Sequence, residues 1–207
     1  MYEYKTIKQR HSFEIIEKKS RFIAHVMPVG NENDALSFIN AKKTEFWDAS
    51  HNVYAYVLKE NSISRYSDDG EPLGTAGIPA LNVIQKEELL DVCVVVTRYF
   101  GGIQLGAGGL VRAYTKSTKS VIDNAGVVRR IYCLLYNIQT EYTLLGKVQN
   151  AAAEYGCIAG NIEYTDIVRL QYYVPFNLNN FCNIINEATN GSAAITKTDE
   201  GRYIDVK

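Results

Sequence analysis

The chain has 207 residues, with 22 lysines and arginines against 23 aspartates and glutamates, a net charge of −1. Its 46% hydrophobic content supports a packed core and excludes a disordered or fibrous chain. The near-neutral balance excludes a globally basic nucleic-acid binder. The charge is uneven, however: residues 136–207 hold 5 basic and 8 acidic side chains, and residues 1–135 hold 17 and 15. Any polyanion contact is therefore expected in the N-terminal part.

The opening Met1-Tyr2-Glu3-Tyr4-Lys5 is polar and lacks the apolar stretch of a signal peptide. The most apolar run, 92–96, is far short of the roughly 20 residues that span a bilayer. A cytoplasmic location without membrane contact is expected. The four cysteines, Cys93, Cys133, Cys157 and Cys182, are scattered without a C-x-x-C pair and read as free thiols in the core.

In chain order, 13–18 and 21–27 read as two strands around a polar turn. Asn33 is placed to cap a helix reaching about Phe46, with apolar positions Ala35, Leu36, Ile39 and Phe46. A strand at 53–58 sets Tyr54 and Tyr56 on one face, and 63–66 is a short further strand. Residues 67–77 form a loop rich in Gly, Asp, Pro and Thr, followed by a helix over 76–85. The valine-rich run 90–97 has the pattern of a strand buried on both faces. A glycine-rich loop follows at 101–109, then a helix over 110–124 ended by Ala125-Gly126.

From Ile131 the order is strand (131–140), helix (144–155), strand (157–164), strand (166–174), helix (178–189), strand (193–198). This is the split βαβ, ferredoxin-like order. The fold class is thus α+β, with domains at 1–130 and 131–207.

Three loop segments carry chemistry. The glycines Gly101, Gly102, Gly106, Gly108 and Gly109 lead into a helix whose free N–H groups can hold an anion, with Arg98 and Arg112 flanking. The alternative is that the glycines only let the loop pack tightly. Neither a Walker loop nor a complete dinucleotide fingerprint is present, since Val111 stands where the third fingerprint glycine belongs. Asp68, Asp69 and Glu71 lie within four residues and suit either a hard cation such as Mg²⁺, a general base, or a capped turn in which Thr75 caps the next helix. His51, just before a strand, suits acid–base work or a loop hydrogen bond. Lys18-Lys19-Ser20-Arg21 adds three cations, and Tyr54, Tyr56, Tyr66, Tyr99, Phe100 and Tyr114 are candidates for base stacking or core packing.

Four blocks in order resemble the IMPACT/YigZ family, bacterial two-domain type: Lys19-Ser20-Arg21-Phe22, His51-Asn52-Val53-Tyr54-Ala55-Tyr56, the run from Arg65 to Gly77, and the run from Thr97 to Tyr114. Gln104 and Val53 stand where the family pattern leads one to expect lysine and cysteine. The resemblance implies an N-terminal domain like the second domain of the fifth small-subunit ribosomal protein. It implies a C-terminal domain like the last domain of elongation factor G, and a link to translational control through partners. The favoured reading is a binding protein contacting RNA, the ribosome or a translation factor, with no catalytic residue, metal or cofactor assigned. An enzyme acting on a phosphate-bearing small molecule, with Mg²⁺ on the carboxylates, and a protein–protein module are the alternatives.

Overall fold

The computed structural model describes residues 2–206. It divides into two compact units: one holds 4–129, and the other holds 130–206 together with Tyr2 and Glu3.

The first unit is built on a five-stranded antiparallel sheet. Its strands are β2 (His11–Glu17), β3 (Ser20–Pro28), β4 (His51–Val57), β5 (Ser64–Ser67) and β6 (Val92–Tyr99), in the order β2-β3-β6-β4-β5. The valine run is the central strand, and 92–96 are fully buried because helices cover both faces. On one face α2 (Gly77–Lys86) and α3 (Ala107–Ala125) pack over Phe22, Val53, Val94 and Val96. On the other, α1 (Glu32–Glu45) packs Ala35, Phe38 and Ile39 over Tyr56, Cys93 and Val95.

Several local expectations need correction. The α1 cap is Asn31, whose side chain accepts from the Asp34 N–H at 2.9 Å, not Asn33. Leu36 faces out and Phe38 takes the core position. Helix α3 begins at Ala107, three residues earlier than expected, so Gly108 and Gly109 lie in its first turn rather than in the loop.

The second unit contains β7 (Val127–Thr140) from residue 130 onward, α4 (Leu145–Glu154), β8 (Ile158–Tyr164), β9 (Val168–Pro175), α5 (Phe181–Thr189) and β10 (Ala194–Val206). This is a βαββαβ order, with β9 between β7 and β8 and β10 paired to β7. Along β9, Val168, Leu170, Tyr172 and Val174 alternate into a core shared with Val148, Phe181 and Ile185. Strand β1 (Glu3–Ile7), absent from the sequence reading, also pairs with β7. Strand β10 runs eight residues beyond the expected 198. Among the described residues no helix is long and apolar enough to cross a membrane.

Candidate functional site

The three polar segments meet at one end of the first unit. Their common point is Glu71, whose side chain is only 2% exposed. Its Oε1 accepts from Arg98 Nη1 at 2.6 Å and from the Tyr114 hydroxyl at 2.7 Å. His51 Nε2 lies 3.9 Å from Oε2. A carboxylate this deep in the protein is tolerated only when its charge is paired and its lone pairs are used. Burial and the Glu71 carboxylate push the Tyr114 hydroxyl well above its ordinary range, so it is a fixed donor.

Arg98 is therefore not a surface cation. It alternates with Tyr99 along β6 and shares the register of Val92, Val94 and Val96, which sends it into the α2–α3 layer. Its guanidinium lies 5.3 Å from the Phe22 ring centroid and reaches Ser20 Oγ at 3.4 Å. Ser20 Oγ also accepts from the Gly101 N–H at 3.2 Å, which ties the head of β3 to the glycine loop. A Cβ on Gly101 would overlap the Lys19 carbonyl, so here glycine is required for a close approach.

The three acidic side chains each have their own partners. Asp68 accepts from the N–H groups of Gly74, Ala76 and Gly77 at 2.9, 3.1 and 2.8 Å, and it rather than Thr75 satisfies the start of α2. The Thr75 hydroxyl instead donates to the Pro72 carbonyl at 2.7 Å. Asp69 accepts from the Asn52 N–H at 2.7 Å and pairs with Lys43 at 2.6 Å. Among the described residues no group of three metal-type side chains is assembled. The His51 Nδ1 lies 2.8 Å from the Asp69 carbonyl; a carbonyl can only accept, so Nδ1 carries the proton and Nε2 faces Glu71.

Beside this network runs a basic rim. Lys18, Arg112 and Lys116, with Glu17, line a cleft of about 210 Å³ against Leu105 and Gly109. Lys116 pairs with Glu17 at 2.9 Å. Lys18, Lys19 and Arg112 are exposed. Lys18 and Lys19 form the two-residue turn of the β2–β3 hairpin at φ 43° and 68°, where asparagine and glycine are the usual occupants. Gly106 starts α3 at φ 69°, ψ 166°, a conformation open essentially to glycine alone, and no side chain caps the helix. Its neighbours Gly102 and Gly108 are exposed, so the first N–H groups of α3 face an open, cation-flanked surface.

Sequence reasoning flagged His51, Asp68, Asp69, Glu71, Arg98, Arg112 and the five glycines, and the structure gathers His51, Glu71, Arg98 and Gly101 around one network. Arg112, Gly108 and Gly109 lie on the rim. Ser20 and Tyr114 act in the network although neither stood among the site residues. The signal for Tyr114 was its place four residues after Leu110 on the core face of α3.

The architecture is that of an α+β protein of two domains. Residues 18–122 match the Impact N-terminal domain, and residues 138–192 match a domain of unknown function, DUF1949. The chain is 43% identical over 207 residues to the IMPACT family member YvyE of Bacillus subtilis, covering 99% of this chain and 95% of that one. It is 33% identical over 161 residues to the IMPACT family member YigZ of Escherichia coli, covering 76% and 79%. A solved structure titled as an hypothetical protein aligns with a TM-score of 0.62 at 28% identity, covering 97% and 99%. The chain belongs to the IMPACT family.

Proposed function

We propose that this protein is a translation-linked binding protein that contacts RNA, free or within the ribosome, through the basic rim of its first domain. The link to translation follows from the family. The observation that carries the RNA contact is the convergence of Lys18, Arg112 and Lys116 on one cleft beside the uncapped glycine start of α3. Cations that meet an open helix N-terminus attract phosphate, and this happens in a chain whose net charge is −1. Buried Arg98 contributes by holding the loop rather than by touching phosphate. Co-sedimentation with ribosomes and a free-RNA shift assay, at low and high salt, test this reading. Lys18→Glu with Arg112→Glu should abolish salt-sensitive association in a folded protein; undiminished association would overturn the site.

One observation favours a second reading, an enzyme acting on a phosphate-bearing small molecule. His51 is held in a defined tautomer with Nε2 towards a buried carboxylate, an arrangement suited to acid–base chemistry. Calorimetric titration with nucleotides and Mg²⁺ that gives no binding heat would remove it.

A further inference from the structure

We infer that the RNA held at this rim is single-stranded, with an unpaired base stacked on Phe100. This rests on the RNA-binding reading above. Of the aromatic side chains in the polar segments, Tyr56 and Tyr114 are buried, the Tyr99 hydroxyl is committed to Asp48 at 2.8 Å, and Tyr66, 43% exposed, stands on β5 at the opposite edge of the sheet from the Lys18–Lys19 turn. Phe100 is different: the residue is 51% exposed at the point where β6 gives way to the glycine loop. It has no polar tip that water would satisfy, so a base stacked on it would remove apolar surface from water.

The backbone that carries the ring is also held in place. The Phe100 N–H donates to Ser50 Oγ at 3.1 Å, and the Arg98 guanidinium, itself clamped by Glu71, lies 5.6 Å from the ring centroid. The next residue, Gly101, packs on the Lys19 backbone, which sets the Lys18–Lys19 turn against the start of the glycine loop. A preorganised, half-exposed aromatic next to free cations is the combination that single strands use: charge tracks the backbone and a ring takes the base. An RNA duplex stacks its bases internally and offers a protein phosphates and 2′-hydroxyls, for which Phe100 has no use. The free cations Lys18, Lys19 and Arg112 favour a polyanion over an apolar protein surface as the occupant.

The test is fluorescence anisotropy with the full chain, an end-labelled single-stranded RNA of mixed sequence, and a blunt duplex of the same sequence. The single strand should bind at least about tenfold more tightly than the duplex. Phe100→Ala should weaken single-strand binding roughly 5- to 150-fold and leave duplex binding unchanged, and Phe100→Trp should restore it. Circular dichroism of each variant checks folding. If single strand and duplex bind alike, and Phe100→Ala changes neither while Lys18→Glu with Arg112→Glu removes both, the stacking inference falls and the RNA reading stands. If the unaltered protein binds neither RNA, both fall.

Discussion

Glu71→Ala is the most informative single change to the network. The substitution leaves the Arg98 guanidinium, with 6% of its side chain exposed, buried without its 2.6 Å partner, and leaves the Tyr114 hydroxyl without an acceptor. Breaking a buried pair by removing one partner costs about 3–5 kcal/mol, because the desolvation of the surviving charge is no longer offset. At about 4 °C per kcal/mol for a domain of this size, the melting temperature should drop by roughly 10–20 °C. Arg98→Met alone should cost a similar amount, by stranding the carboxylate. The double variant Glu71→Leu with Arg98→Met removes both charges and should be more stable than either single variant. Urea unfolding followed by circular dichroism measures all three. If each single change costs under 1 kcal/mol, or the two costs simply add, Glu71 and Arg98 are not a coupled buried pair and the reasoning fails.

The Lys18–Lys19 turn holds two non-glycine residues in the left-handed region, at about 1–2 kcal/mol each. Lys18→Asn with Lys19→Gly should therefore raise stability by about 1 kcal/mol or more in urea unfolding while weakening RNA binding. Gly101→Ala should destabilise by about 1–3 kcal/mol because its methyl meets the Lys19 carbonyl, whereas a methyl on Gly102 meets nothing and costs only its positive φ. His25 is buried; burial first, then Lys42, with Glu45 opposing, lowers its pKa to about 4. Unfolded, it titrates near 6.5 and binds a proton that the folded form refuses, so stability should fall as pH drops from 6.5 to about 4. His25→Gln should flatten that part of a urea-midpoint-versus-pH curve, and an unchanged slope would show that His25 is not its source.

Much of the fold was legible because its strongest signals are local. The valine run can only be a strand buried on both faces, and Gly126 at φ 77° ends α3 as its sequence position suggests. The element order of the second domain followed from alternation and turn residues. Strand β1 was not legible, since Glu3-Tyr4-Lys5-Thr6-Ile7 has no apolar run and is ordered by a partner more than 100 residues away. The same holds for β10 beyond 198, where Asp199-Glu200-Gly201-Arg202 is too polar to announce a strand. At the site, the sequence marked the segments but not their meeting point. Glu71 reaches Arg98 and Tyr114 across 27 and 43 residues, and no local pattern encodes such pairings. The burial of Arg98 was nevertheless readable: it keeps the two-residue register of Val94 and Val96, so it had to point the way they do.

The central claim is that phosphate is held by the rim cations. Titrate single-stranded RNA into the protein across a salt series and plot log K against log salt. If the free cations Lys18, Lys19 and Arg112 each neutralise a phosphate, the slope for a single strand should be roughly −2. Removing two of these charges, by Lys18→Gln with Arg112→Gln, should bring it to about a third of that value. Binding whose affinity does not change with salt, or a slope that the double variant leaves intact, would contradict the assignment of this rim as the RNA contact.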